Sequence, residues 1–386
     1  MTFDIDALQA EARERSGGLA DFGDPAFRPA LAALLRALDH EARLSDTGRR
    51  LLGGRIVELL RNRLMLEDSI RRHPEILAER IDDPIVIVGL ARSGTTFLQR
   101  ILSCDPRMYP LLWWETRFPV PHTDGILAGE DPRIGLARAE VRMMLEANPA
   151  LLAIHPWDAE AADEEGMLME HSFMSFFDAY ADIPGYTDWL WANDQAPAYR
   201  HLRRMLQFLQ WQKRQRGVSA NRWVLKTPHH LRQIDMLFRV FPDVQVIQTH
   251  RDPLETIPSI ASFVWNLWTV YLENADPVRA GQQWSAIAAR GLRGTMAYRA
   301  GPAGDGFHDV WFADTLREPL AVIRSIYDFV GLGLPGDVQE RMLAGVEHNR
   351  REQRPVHSYS PAHFGLSEAQ ITREFAAYRE KYIKPA

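Results

Sequence analysis

Residues 85–96 read IVIVGLARSGTT, and this stretch decides the fold of the chain. Four β-branched residues, typical of a buried strand, end at Gly89, and a second glycine, Gly94, follows five residues later. Residues 97–102 read FLQRIL, which has the pattern of a helix. A strand, a tight loop and a helix N-terminus in this order hold phosphate groups, because backbone N–H groups and the helix dipole meet at the loop.

The spacing of the two glycines matches the Walker A loop, but Thr95 stands where that loop has its phosphate-binding lysine. The positive charge lies inside the loop instead, at Arg92. A nucleoside triphosphatase without the lysine would lose its main contact with the terminal phosphates, whereas a protein that binds another phosphate ester does not need it. An ordinary strand-to-helix turn is the alternative, but the order of strand, loop and helix favours a phosphate-binding loop.

A second candidate phosphate site lies far downstream. Residues 244–249 read as a buried strand, and a helix is predicted over 254–268, although Pro258 should kink it or delay its start. Arg251 follows the strand, and Ser259 comes eight residues later. An arginine fork and a hydroxyl both donate to phosphate oxygens. Taken alone, Arg251 would equally be a structural ion-pair partner.

Together, the loop ARSGTTFL at residues 91–98 and the Arg251/Ser259 pair resemble the sulfotransferases that use 3′-phosphoadenosine 5′-phosphosulfate (PAPS). In that family the loop binds the 5′-phosphosulfate, and the arginine and serine bind the 3′-phosphate. The resemblance implies PAPS as co-substrate and adenosine 3′,5′-bisphosphate (PAP) as product. The nucleotide-binding residues it implies are Arg92, Ser93, Gly94, Thr95, Thr96, Arg251 and Ser259, with backbone N–H groups expected from Ser93 and Gly94.

The C-terminal segment YSPAHFGL at residues 359–366 is similar to one that is common near the end of bacterial members of this family. Family tails fold over the nucleotide and supply basic residues. Arg350, Arg351 and Arg354 are therefore candidates for nucleotide contacts, and a solvated charge cluster is the alternative.

Residues 113–117, WWETR, supply the candidate general base, Glu115. The segment resembles the Glu-Thr-Arg of the tyrosylprotein sulfotransferases, whose glutamate is the base. The two tryptophans would withdraw water from the carboxylate and strengthen it as a base. An ion pair with Arg117 is the alternative. The rival bases are histidines, none of which lies in a matching motif: His122, His171, His229 and His230.

Lys226 is expected at the C-terminal end of a strand, the place where open α/β sheets bind ligands. By resemblance to the family, it would neutralise charge on the bridging oxygen, a role that suits a point-charge ammonium. Arg92 would assist at the 5′-phosphate. No metal is implied, because the basic groups can neutralise the leaving phosphate and no His/Cys cluster has ligand spacing.

Composition limits the function classes. The chain has 386 residues with a net charge of −6, which does not suggest a nucleic-acid partner. Cys104 is the single cysteine, so no intrachain disulfide is possible and a cytoplasmic setting is expected. No run approaches the roughly 18 apolar residues of a membrane span, so no integral membrane segment is expected.

The pattern of strands and helices predicts an α/β fold, a P-loop-type doubly wound parallel sheet flanked by helices. Strands are predicted at 85–88, 223–225, 244–249 and 309–312. We expect one domain over 1–386. A helical segment at 1–80 should pack on the core or on a partner subunit. It should be followed by a phosphosulfate-loop unit at 81–117, a helical insertion and acceptor lid at 118–215, the rest of the core at 216–335 and a tail over the nucleotide at 336–386. A homo-oligomer is left open.

The sequence therefore predicts a sulfotransferase that moves the sulfuryl group of PAPS to the hydroxyl of a small apolar or lipid-like acceptor. Its catalytic residues would be Glu115, Lys226 and Arg92. One alternative is a P-loop kinase that uses ATP and magnesium, with Asp252 as a Walker B residue. A non-catalytic nucleotide-binding protein is the other.

Overall fold

A five-stranded parallel sheet forms the centre of the protein. The computed structural model describes residues 2–121, 129–149, 152, 156–349 and 360–383. The strands are β1 (Ile85–Gly89), β2 (Met108–Pro110), β3 (Arg222–Lys226), β4 (Gln245–His250) and β5 (Phe307–Trp311). Their order is β2-β3-β1-β4-β5, and every neighbouring pair is parallel. The predicted doubly wound parallel α/β sheet is therefore confirmed.

Helices flank both faces of this sheet. Within the described residues they are α1 (Ile5–Arg15), α2 (Phe27–His40), α3 (Asp46–Arg72), α4 (Thr95–Leu102), α5 (Trp113–Arg117), α6 (Pro132–Ala147), α7 (Gly166–Met169), α8 (Pro184–Ala192), α9 (Ala196–Gln215), α10 (Ile234–Val240), α11 (Pro253–Tyr271), α12 (Pro277–Arg299), α13 (Phe312–Arg317), α14 (Pro319–Phe329), α15 (Gly336–His348), α16 (Glu368–Glu374) and α17 (Ala376–Tyr382). None of these described helices combines the length and the hydropathy needed to cross a bilayer.

The central strand β1 is buried on both faces, as its continuous β-branched sequence predicts. Successive side chains of a strand point to opposite faces, so β1 contributes to two hydrophobic clusters. Val86 and Val88 belong to the larger cluster, which also contains apolar residues of α2 and α3. Ile85 and Ile87 belong to the second, together with residues of α4 and α14.

The N-terminal helices pack on the core of their own chain. Leu34 of α2 and Leu60 of α3 are fully buried and lie in the same cluster as Val86. Of the two arrangements expected for residues 1–80, the structure therefore shows packing on the core.

The structure differs from the sequence prediction at three places. Strand β2 was missed, because it has only three residues and ends at a proline. Phe312, predicted as strand, begins α13. Helix α11 is not delayed by Pro258: it begins at Pro253, where a proline in the first turn is favoured, and Asp252 caps it through Leu254 N.

Three central strands end side by side at one edge of the sheet. Gly89, Lys226 and His250 are the last residues of β1, β3 and β4, and β1 lies between the other two. The predicted phosphate loop follows β1, and Arg251 follows β4. Ligands of open α/β sheets bind at this carboxyl edge, and the predicted site residues of the loop, of β3 and of the segment after β4 lie there.

Candidate active site

The loop after β1 has the left-handed backbone that a phosphate loop needs. Arg92 has a φ of 72° and Gly94 a φ of 88°. At Gly94, a Cβ atom would lie 2.6 Å from the Phe312 ring, so a glycine fits there. The Ser93 hydroxyl lies 2.6 Å from both the Leu90 carbonyl and the Thr249 hydroxyl, which ties the loop to β4.

The start of α4 supplies the free N–H groups of this loop. The N–H groups of Gly94, Thr95 and Thr96 donate to no backbone carbonyl of the described residues. N–H groups in this position, together with the helix dipole, are able to bind an anion. Ser93 differs from the prediction, because its N–H already donates to the Leu90 carbonyl at 3.1 Å. Ser93 therefore shapes the loop with both its hydroxyl and its N–H.

The structure brings the two predicted phosphate sites together. Arg92 Nε donates to Ser259 Oγ at 3.2 Å, and Arg251 Nη1 donates to the Arg92 carbonyl at 3.0 Å. Arg251 also pairs with Glu255 at 2.6 Å and lies 4.3 Å from the Phe312 ring centroid. Because Ser259 lies on α11, about two turns after Arg251, both side chains reach the same loop.

Lys226, at the end of β3, is completely buried, and its charge is balanced by Glu164. Lys226 Nζ lies 2.6 Å from Glu164 Oε1, and Thr227 Oγ1 lies 3.2 Å from Glu164 Oε2. The backbone of Lys226 is in register with Ile87 of β1, two residues before Gly89. A buried ammonium and a carboxylate therefore share the carboxyl edge with the phosphate loop. The sequence analysis missed Glu164.

Glu115 is not brought to this group. It is buried, Lys213 Nζ lies 2.5 Å from Glu115 Oε1, and Leu112 N donates to Glu115 Oε2 at 2.9 Å. Both carboxylate oxygens thus serve a buried ion pair and the N-terminal cap of α5. The alternative pairing with Arg117 is wrong, because Arg117 pairs with Glu140.

A cavity of about 580 Å³ extends from the phosphate loop between the insertion and helices α11 and α12. Leu90 and Ala91 of the loop line it together with Glu164 and Thr227. Most of its wall is apolar or aromatic, including Trp113, Phe118, Met144, Trp157, Met167, Phe176, Tyr180, Phe263, Leu267, Tyr271, Trp284 and Ile287. Glu115 does not contribute to this wall as far as the described residues form it.

The described histidines among the rival bases are unsuited to take a proton from an acceptor. Burial lowers the pKa of His171 to about 4, and its Nδ1 lies 3.0 Å from the Leu168 carbonyl. His229 lines the cavity, but burial lowers its pKa well below the usual value, which makes it a weak base. His230 lies between Glu165 and Tyr199. His122 lies outside the described residues.

The described part of the C-terminal tail packs on the carboxyl ends of β4 and β5. His250 stacks on Tyr382 with ring centroids 4.4 Å apart, and the Tyr378 hydroxyl lies 2.9 Å from its Nδ1. Arg379 pairs with Asp252 at 3.0 Å. Arg350, Arg351 and Arg354 lie outside the described residues.

No group of three or more His, Cys, Asp and Glu side chains in the described ranges is arranged to hold a metal ion.

Comparison of the sequence and the structure with known proteins finds sulfotransferases. The sequence model of the sulfotransferase family matches residues 84–336. The omega-hydroxy-beta-dihydromenaquinone-9 sulfotransferases Stf3 of Mycobacterium bovis and Mycobacterium tuberculosis are each 25% identical to the chain over 261 residues. The match covers 65% of the chain and 63% of the length of these curated relatives.

Two solved structures cover nearly the whole chain. Sulfotransferase STF1 from Mycobacterium tuberculosis H37Rv superposes with a TM-score of 0.84 at 29% identity, over 97% of this chain and 99% of that one. Sulfotransferase STF9 from Mycobacterium avium shares the fold with a TM-score of 0.87 at 24% identity, over 100% of this chain and 99% of that one.

Proposed function

The chain belongs to the sulfotransferase family, and we propose that it transfers the sulfuryl group of PAPS to the hydroxyl of an apolar, lipid-like acceptor. One observation carries the proposal: an apolar cavity of about 580 Å³ ends at the phosphate loop, where Leu90 and Ala91 form part of its wall. The Stf3 relatives are named for omega-hydroxy-beta-dihydromenaquinone-9. A lipid-like acceptor of that class would suit the apolar wall of this cavity.

The donor groups at the edge of the sheet suit a nucleotide with two separate phosphates. The N–H groups at the start of α4 and Arg92 would hold the 5′-phosphosulfate. Arg251 and Ser259 would hold the 3′-phosphate, and Arg251 would give up its exposed pairing with Glu255. Bound PAPS supplies a sulfuryl group attached to a good leaving phosphate.

The protein supplies position, charge and exclusion of water. Arg92 and the loop fix the donor, and the cavity wall fixes the acceptor, so that attack proceeds in line. Lys226 neutralises the charge that develops on the bridging oxygen. The aromatic wall keeps water from competing with the acceptor hydroxyl.

Neither alternative has comparable support. The kinase needs a lysine at Thr95 and a magnesium ligand at Asp252, but Asp252 caps α11 and pairs with Arg379. A protein that only binds nucleotide needs neither the buried Lys226 nor an apolar cavity beside the loop.

We further propose that residues 118–215 cover the acceptor and that the tail covers the nucleotide. Met167 and Phe176 of the insertion line the cavity. Arg379 of the tail forms an ion pair with Asp252, the residue that follows Arg251. The single cysteine supports action in the reducing cytoplasm. A homo-oligomer stays a prediction.

The nucleotide site can be tested by thermal unfolding. At a hundredfold excess over its Kd, PAP is expected to add about 2.7 kcal/mol to the free energy of unfolding. Adenosine 5′-phosphate and ATP with magnesium should add far less, because neither carries a 3′-phosphate for Arg251 and Ser259. Arg251→Ala should abolish the difference between PAP and adenosine 5′-phosphate. Arg71→Ala, which removes an exposed arginine that pairs within its own helix, should preserve it. Equal shifts with all ligands in the unaltered protein would reject the 3′-phosphate site.

The acceptor class can be tested with labelled PAPS and a screen of phenols, sterols, fatty alcohols, sugars and tyrosine peptides. Apolar alcohols are expected to react best. Ala288→Phe fills part of the cavity and should lower kcat/KM for long-chain alcohols by about tenfold or more, with a smaller effect on phenol. The matched control is Ala297→Phe, an exposed position on the same helix. Preference for sugars or peptides would contradict a lipid-like acceptor.

A further inference from the structure

Glu164 lies where the apolar cavity meets the carboxyl edge of the sheet. It lines the cavity, and its side chain is 23% exposed. We propose that Glu164, and not Glu115, is the general base that takes the proton from the acceptor hydroxyl, an inference that rests on the proposed function.

The loop that carries Glu164 is fixed to the phosphate site on two sides. Gln99 of α4, the helix that begins at the phosphate loop, donates its side-chain N–H to the Asp163 carbonyl at 3.0 Å. On the other side, the backbone N–H of Lys226 donates to Glu165 Oε2 at 2.6 Å. Asp163 N donates to the Leu111 carbonyl at 2.9 Å. Such support holds a catalytic side chain in one geometry.

The other carboxylates that line the cavity are less suitable. Asp163 is buried, and its Oδ1 accepts the backbone N–H of Glu164 at 2.8 Å. Glu140 lines the wall but is paired with Arg117. Glu58 is half-buried and pairs with Arg15 and Arg61. Glu164 lines the same cavity as the residues of the phosphate loop, and its cation is the buried Lys226.

The ion pair couples proton transfer to departure of the leaving group. The acceptor hydroxyl gives its proton to Glu164, and its oxygen forms a bond to sulfur. The bond between sulfur and the bridging phosphate oxygen breaks, and the electron pair stays on that oxygen in PAP. Protonation of Glu164 removes the negative charge that holds Lys226, so the ammonium becomes available to the bridging oxygen at the moment its charge develops. Glu164 then returns its proton to water.

The test compares glutamate variants of the full chain, using labelled PAPS with dodecan-1-ol as acceptor and PAP for binding. Glu164→Gln is expected to lower kcat by about a hundredfold or more while the Kd for PAP changes less than threefold. Glu115→Gln should keep kcat within about threefold. Glu160→Gln, an exposed glutamate shortly before Glu164, is the neutral control.

A second variant separates a base from a structural residue. Glu164→Ala should regain at least about tenfold in kcat when sodium formate is added, because formate can replace the missing carboxylate. Normal kcat in Glu164→Gln, or a loss that formate does not restore and that parallels weaker PAP binding, would overturn the assignment. If the unaltered protein transferred sulfuryl groups neither to dodecan-1-ol nor to any acceptor of the screen, the proposed function itself would fail.

Discussion

Lys226→Met is expected to lower kcat by about a thousandfold, equivalent to about 4 kcal/mol of transition-state stabilisation. Lys226 is completely buried at the end of β3, so its charge acts in a site with little water. Its contact with the bridging oxygen strengthens only as the bond to sulfur breaks, so kcat should suffer far more than binding. Methionine retains most of the buried stem. The measurement is single-turnover transfer from labelled PAPS, with the Kd for PAP determined in parallel.

Two further observations sharpen this test. Lys226→Arg should restore little activity, because the planar fork is longer and directed differently from an ammonium. Added magnesium should not restore activity either, since no metal is proposed at the site. If Lys226→Met kept kcat and weakened only PAPS binding, Lys226 would be a phosphate ligand and the catalytic charge would pass to Arg92.

Lys213→Ala is expected to lower the free energy of unfolding by about 3–5 kcal/mol. The substitution leaves the carboxylate of Glu115 buried without its cation. Urea unfolding measures the loss. The double variant Glu115→Gln/Lys213→Met should recover most of it, because it removes both charges and keeps their volumes.

The activity of the same variant decides between two roles for Glu115. With an ion pair that only stabilises the fold, kcat per folded molecule should stay within about threefold in Lys213→Ala. Unchanged stability together with lost turnover would instead return Glu115 to the role of general base.

The positions of the residues proposed to bind phosphate could be predicted from local sequence. The strand, loop and helix around Gly94 are contiguous in the chain, and a spacing of eight residues puts Arg251 and Ser259 about two helical turns apart. Both arrangements depend only on residues that are close to each other in the sequence. Part of the sheet follows for the same reason, because β1 is a continuous apolar run and β3 contains the apolar run 223–225.

The residues proposed for proton transfer could not be predicted in this way. The partner of Glu115 is Lys213, 98 residues away, and no local pattern specifies a pair at that separation. Glu164 lies in an irregular part of the insertion, where hydrophobic periodicity carries no signal. One hint existed, since Glu164 and Glu165 stand together just before the apolar run 166–169, GMLM. A half-buried carboxylate next to a fully buried one requires partners, and Lys226 and His230 provide them.

The shared core of helices α2 and α3 with strand β1 has a consequence for how the molecule unfolds. Leu34, Leu60 and Val86 occupy one hydrophobic cluster, although the region that defines the family begins only at residue 84. The cooperative unit is therefore larger than the region that matches the family model, and a fragment that starts at residue 84 would expose the apolar face that these helices cover. Backbone amides in the middle of α3 should exchange with deuterium through the same opening event as those of β1, so the N-terminal helices and the catalytic sheet gain or lose their structure together.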